Sequence, residues 1–374
     1  MNATPTPHAA PEKAHLKIGF VPLADAAPLI AAKLLEFGHA HGLTLELSRQ
    51  PSWAALRDKL LAGELDAAHT LYGLVYGVQL GIGGPQQDMA VLMVLNRNGQ
   101  AITLSNRLAD ALAEHGTLPR ALATLERKPV FAQTFPTGTH AMWLNYWLAA
   151  QGVHPLRDIE SVVIPPPQMV AALTGERLDG LCAGEPWPAL ARRRGVGRTV
   201  IRSGEIWPDH PEKVLACRRD FVTRYPNTAR ALVQTMLEAC RWLDGAGHRG
   251  EIAQWLARPE MLGVDAALIA EQLEGNGTSD GVRMKFCENG AVNFPLESEG
   301  IWFLTQFQRW GIMAPRDDYL EIARGVNQIA LYREAARAIG VEVPAVFGKP
   351  VFVDGRVWDG VDAVAYVEGF RVRV

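Results

Sequence analysis

The chain reads as an α/β protein of two similar lobes around a ligand cleft, with a mostly helical C-terminal part. Three observations predict this. Residues 16–69 run strand–helix–strand–helix–strand, and residues 129–187 repeat that grammar. With 374 residues, the chain is too long for one ordinary core. After about residue 220 the pattern becomes helical and stays so to about residue 340.

Taken in order, residues 16–21 (LKIGFV) form a buried-strand pattern, and the turn 22–28 leads into a helix that closes at Gly38. Residues 43–47 alternate as a second strand. Ser52 is placed to cap an amphipathic helix over 53–61, and 63–69 turn into a short third strand. Small residues at 72–84 suit a helix or a loop, followed by strands at 90–95 and 101–104. From Ser105 to Lys128 the sequence loosens into an Ala- and Arg-rich stretch. A strand at 129–133 then meets a small-residue loop, Pro136-Thr137-Gly138-Thr139-His140, and an apolar helix with Thr139 as the expected N-cap. The unpaired N–H groups and positive dipole end of such a helix suit a small anion. A strand at 161–164, a helix at 168–173 and a segment ending in Gly184-Glu185-Pro186-Trp187 complete the second unit. Next come a helix at 188–194, a strand at 199–202, a loop over 204–213 and a strand at 214–217. A strand–turn–strand signal sits at Asp354-Gly355 in the tail.

Composition narrows the function classes. Hydrophobic content of 48%, charged content of 21% and a formal charge of −3 exclude a strongly basic nucleic-acid-binding surface and any membrane-span-like apolar run. The four cysteines are scattered without C-x-x-C spacing, so reduced structural thiols are expected, with disulfides left open. Residues 1–15 read as a disordered tail without a basic or apolar leader, from which a cytoplasmic location is expected.

Several separated motifs then occur together: GFVPLADAAPLI (19–30), SWAALRD (52–58), LDAAH (65–69), LNRNGQAI (95–102), FPTGTHAMWLNYWLA (135–149), VIPPPQMVAAL (163–173), GEPW (184–187) and GEIWPDHPEKVL (204–215). In combination the chain resembles the NrtA-like nitrate-binding family. That resemblance implies the two-lobed fold of type 2 periplasmic binding proteins. It also implies a lobe 1 from residues 16–105 and 218–374, and a lobe 2 from 106–217. Lacking a leader pattern, the chain is most similar to the cytoplasmic nitrate/nitrite sensor of the NasS type. Such a sensor holds an ANTAR-domain, RNA-binding antiterminator of the NasT type and releases it on anion binding, without itself touching nucleic acid or membrane. The alternatives are the solute-binding component of an ABC-type nitrate or bicarbonate transporter and an enzyme akin to the thiamine-pyrimidine synthases, whose cysteine cluster is missing here.

The resemblance assigns the nitrate site to Trp53, Gln100, His140 and Lys213. These supply an indole N–H, an amide, a ring N–H and an ammonium, donors suited to a planar monoanion. Trp53 and Gln100 are expected on lobe 1, with His140 and Lys213 on lobe 2. Gly138, Thr139 and Gly184 are candidate supporting contacts, and Glu185 a carboxylate that holds Lys213 or His140 in place. In bicarbonate-binding members the lysine gives way to an acidic residue with calcium. Lys213 therefore implies nitrate or nitrite, with no metal and no cofactor.

Overall fold

A computed structural model describes residues 10–275, 282–343 and 348–374. Among the described residues, ten strands form two sheets of five. The first contains β1 (His15–Phe20), β2 (Thr44–Arg49), β3 (Ala67–Leu71) and β4 (Met89–Val94). The second contains β5 (Gln100–Ser105), β6 (Val130–Gln133), β7 (Glu160–Val163), β8 (Gly180–Gly184) and β9 (Gly197–Arg202). The chain then returns as β10 (Lys213–Arg218), which inserts antiparallel between β3 and β4, giving the order β2-β1-β3-β10-β4. The second sheet mirrors it as β7-β6-β8-β5-β9, with β5 antiparallel to both neighbours. Strands β3, β4 and β8 are buried along their whole length, which explains why they read as apolar runs rather than alternating ones.

This topology moves the expected lobe boundaries. Gln100–Ser105 belongs to the second sheet and Lys213–Arg218 to the first, so the chain changes sheet between residues 94 and 100 and again between 206 and 213. Gln100 thus sits on the second lobe and Lys213 on the first, the reverse of the expectation. A strand carries no local mark of which sheet it joins, so the boundary was set too late in both directions. The two connecting segments are zipped to each other. Leu95 N–H donates to the Lys213 carbonyl (2.7 Å), Glu212 N–H to that of Asn96 (3.1 Å) and Asn98 N–H to that of His210 (3.1 Å).

Residues 106–128, expected to be loose, form the helices Asn106–His115 and Leu118–Leu122, the first capped by Ser105. Its two buried positions, Leu108 and Ala109, form a narrow stripe that an Ala- and Arg-rich sequence hides. The expected loop over 204–213 contains the short helix Ser203–Ile206, and the tail holds a Val351–Val357 bridge followed by the helix Ala363–Glu368. Of the expected N-terminal tail, residues 1–9 lie outside the described residues. Glu12 is anchored, its carboxylate accepting from the Thr228 (2.9 Å) and Asn227 (3.1 Å) amides. All four cysteines are buried and unpaired.

The helix Glu297–Arg309 backs both lobes. Its Trp302 packs against Trp143 of the second lobe with ring centroids 4.8 Å apart, and its Glu299 takes a buried ion pair from Arg97 of the connecting segment. The Arg97 guanidinium also donates to the carbonyls of Val292 (3.1 Å) and Asp209 (2.7 Å). Breaking this pair from one side leaves a carboxylate buried without its cation. Arg97→Ala is expected to cost roughly 3–5 kcal/mol of unfolding free energy in a denaturant titration; a loss below about 1 kcal/mol would remove Arg97 from its anchoring role.

Candidate functional site

The sheets aim their ligand-facing edges at each other. Parallel strands β1, β3, β6 and β8 end at the cleft, and the antiparallel strands β10 and β5 begin there, with Lys213 and Gln100 as their first residues. Trp53 is the first residue of the helix Trp53–Leu61, whose N-cap Ser52 accepts from the Ala55 amide (3.2 Å). His140 lies in the first turn of the helix Thr139–Ala150. The topology thus brings all four expected donors to one place, two from each lobe, and all four are buried.

Lys213 is held between two carboxylates. Its Nζ donates to Asp25 Oδ2 (2.7 Å) and to Glu212 Oε1, and no part of the three side chains reaches solvent. Asp25 Oδ1 takes the Nε2–H of His69 (2.9 Å). On the other side Glu212 Oε1 accepts from the Thr139 hydroxyl (3.0 Å), which in turn accepts from Gln100 Nε2 (3.2 Å). One hydrogen-bond chain therefore runs from His69 through Asp25, Lys213, Glu212 and Thr139 to Gln100, crossing from lobe to lobe.

Burial by itself would raise the Asp25 carboxyl; the Lys213 ammonium and the His69 bond outweigh it and bring the group down to about 2. Burial pushes Glu212 upward, and Lys213 offsets only part of that. Burial lowers Lys213, but the two carboxylates outweigh it and hold the ammonium charged. Burial depresses His69 and drives His140 well below the usual imidazole range, with the Lys213 charge adding to the shift in both. These rings are neutral near neutral pH.

Among the described residues, Trp53 Nε1 and His140 Nε2 are buried without a hydrogen-bond partner. His140 Nδ1 meets the Thr134 hydroxyl at 2.6 Å; with that hydroxyl donating, the neutral ring carries its proton on Nε2. The Trp53 indole lies 5.6 Å from the Lys213 ammonium, measured to the ring centroid. Two dry N–H donors and a buried ammonium on facing lobes can each pair with an acceptor, and a buried donor left without one is costly.

The supporting residues fall differently from expectation. Thr139 is not the N-cap: Gly138 takes that position, which frees the Thr139 hydroxyl for Glu212. The Gly138 amide donates to the Phe135 carbonyl (2.9 Å), so it is not available to a ligand. Glu185 does not hold Lys213 or His140; its Oε2 accepts from the Ala189 amide (3.1 Å) and burial pushes its carboxyl up to about 7. Gly184 lies across the cleft from Leu23 and Asp25. The carboxylates that do hold Lys213 are Asp25 and Glu212, which sequence reasoning missed. Both stand inside the quoted motifs, one in GFVPLADAAPLI and one adjacent to the lysine itself.

The cleft is closed. The Ala24 amide of the first lobe donates to the Glu185 carbonyl of the second (2.9 Å), and Arg193 pairs with Asp265 at the rim (3.3 Å). Gly73 and Gly77 on the helix Tyr72–Gln79 let Thr137 approach so closely that a Cβ at either would collide with it. A surface cavity of about 420 Å³ shares no lining residue with the four donors, and its Arg97 and Lys285 are already paired with Glu299 and Asp209.

The sequence profile of the NMT1-like family matches residues 9–257. The chain is 35% identical to the nitrate/nitrite binding protein NrtA of Synechocystis, over 97% of this chain and 86% of that protein. It is 28% identical to the bicarbonate-binding protein CmpA of Synechococcus, over 96% and 87%. Among solved structures, that of the periplasmic nitrate-binding protein NrtA from Synechocystis superposes with a TM-score of 0.91 at 36% identity, covering 97% of this chain and all of that one. The two-lobed periplasmic-binding-protein fold expected from the sequence is therefore the fold observed. The cytoplasmic location expected from the N-terminal residues is corrected by the same finding: the solved relative at 36% identity is the periplasmic nitrate-binding protein NrtA.

Removing the ammonium alone should expose the strain of the buried acids. In Lys213→Met the folded-state pKa values of Asp25 and Glu212 rise above their unfolded values, so the native state binds protons more tightly and stability increases as pH falls. The variant should lose roughly 3–5 kcal/mol near neutral pH and recover part of it near pH ~5. Parallel wild-type and variant melts across pH check this; a loss independent of pH would show that the carboxylates are not strained by the missing charge.

Proposed function

The chain belongs to the NMT1-like family, and we propose that within it this protein is the anion-binding component of an ABC-type importer for nitrate or nitrite. The observation that carries the reading is the pair of dry donors, Trp53 Nε1 and His140 Nε2, converging from opposite lobes beside the Lys213 ammonium. A planar monoanion gives each donor an acceptor and touches both lobes at once only when they are shut, so it favours the closed form by its differential affinity. Gln100 Nε2 keeps one hydrogen beyond its bond to Thr139 and serves as a further in-plane donor.

The relatives support import over the regulatory reading, because their names are those of nitrate and bicarbonate binding and import proteins. One of them, the nitrate import ATP-binding protein NrtC of Synechocystis, is matched over 56% of its length by 96% of this chain at 36% identity. Control of an ANTAR-domain antiterminator would use the same closing cleft with a different docking partner. Nothing in the geometry selects that partner.

Thermal unfolding with nitrate, nitrite, bicarbonate, chloride and sulfate tests the ligand class. At about 100 times its dissociation constant a ligand adds about 2.7 kcal/mol, a visible rise in midpoint. Nitrate and nitrite should raise it, and His140→Ala should weaken nitrate binding by at least about tenfold through a lost charge-assisted bond. A shift with bicarbonate alone would assign the cleft to the other branch of the relatives. Gly77→Ala, by crowding Thr137 in the closed form only, should weaken nitrate binding without lowering the melting point of the free protein.

A further inference from the structure

Two carboxylates and one ammonium make the core of this cleft net negative before any ligand arrives, with Asp25, Glu212 and Lys213 all fully buried. A monoanion entering between Lys213, Trp53 and His140 would bring a third negative charge to a single cation. In an enclosed, weakly screened site that arrangement is strongly unfavourable. We propose that the cleft takes up one proton with each anion, and that Glu212 is the group that receives it. The inference rests on the anion-binding reading above and adds the proton as a co-ligand.

The geometry selects Glu212 over the other groups around it. Asp25 is satisfied on both oxygens, by the Lys213 ammonium and by the His69 ring N–H. Glu212 is held on Oε1 by Lys213 and Thr139, whereas Oε2 has only the long contact from Trp143 Nε1 (3.5 Å) and His210 Nδ1 at 3.9 Å. Oε2 is therefore the oxygen free to carry a proton. His69 already gives its one ring proton to Asp25, and a second would place an imidazolium beside the Lys213 ammonium. His140 and His210 are buried and both repelled by Lys213, which keeps them neutral. The Cys182 thiol, also facing Glu212, holds its proton because burial raises it well above the usual range. Arg97, whose charge acts on His210, is neutralised by Glu299. The upward displacement of Glu212 by burial agrees with this choice.

The step balances without a further reactant: a solvent proton and the anion enter together, the carboxylate becomes a carboxylic acid, and the charge of the cluster is unchanged. Below the pKa of Glu212 in the free cleft the proton is already present and affinity is level. Above it, affinity falls about tenfold per pH unit until pH passes the pKa of Glu212 in the anion-bound cleft, beyond which it is level again.

Isothermal titration of the full chain with sodium nitrate, in buffers of low and high ionisation enthalpy between about pH 5 and about pH 9, tests this. Wild type is expected to take up close to one proton per nitrate at the alkaline end, with the dissociation constant rising about tenfold per unit. Glu212→Gln is expected to bind nitrate with a level affinity and no proton uptake. Nitrate binding by wild type with no buffer dependence and no pH dependence overturns the proposal while leaving the anion reading intact. Proton uptake that persists in Glu212→Gln overturns the assignment to Glu212. No heat with nitrate or nitrite at any pH sinks the anion reading itself and the proposal with it. Should Glu212→Gln fail to fold, the proton count on wild type alone still decides whether uptake occurs.

Discussion

Lys213 is the residue on which the rest of the cleft depends. A charged lysine with no solvent contact is tolerated only when paired, and here the pairing comes from two sides. Asp25 arrives on the loop after β1, Glu212 on the segment that returns the chain to the first sheet. The hydrogen bonds from His69 and Thr139 then fix those carboxylates, and Gln100 fixes Thr139 from the second lobe. A site built on one ammonium therefore carries its own counter-ions. The cation serves as an orienting donor held at a set point, and the net charge around it is not positive.

The same residues lie where the chain crosses between the lobes. Gln100 begins β5 immediately after the outgoing segment, and Glu212 and Lys213 end the returning one, whose backbones are bonded to each other. In this closed form Thr137 approaches Gly73 and Gly77 too closely to leave room for a Cβ at either. The helix Glu297–Arg309, through Trp302 and Glu299, gives the second lobe and the connecting segment a common backing.

Local grammar made most of this fold legible in the sequence. Buried strands, the Ser52 cap and the apolar helix Thr139–Ala150 follow from periodicity and, for Ser52, capping chemistry that act within a few residues. Sheet membership does not. The segment Gln100–Ser105 has the same alternation whichever sheet it joins, so the lobe assignments of Gln100 and Lys213 were exchanged. The four expected donors, Trp53, Gln100, His140 and Lys213, stand out in the sequence only through motif resemblance, since tryptophan at a helix start or lysine after Pro-Glu is ordinary in isolation. Asp25 and Glu212 carry no local mark of their role: the carboxylate that the resemblance offers for Lys213 is Glu185, and only the fold brings Asp25 and Glu212 to the ammonium. The usable signal was the burial pattern around them, because an acid in an apolar motif such as residues 19–30 needs a buried partner.

Fold similarity alone does not decide function. The cleft's own chemistry is more discriminating. Burial holds its histidines neutral with depressed basicity and keeps the Cys182 thiol protonated, so that cysteine offers no thiolate nucleophile. What it does present are N–H donors that closure dries before they have acceptors. Each such donor costs about 1–3 kcal/mol when the lobes shut without a ligand. Trp53 and His140 together thus oppose closure by a few kcal/mol until an anion pairs with them, the range needed to tip a two-state equilibrium decisively. On the anion-binding reading, such a cleft stays open until the anion arrives and closes because the anion completes its hydrogen bonds.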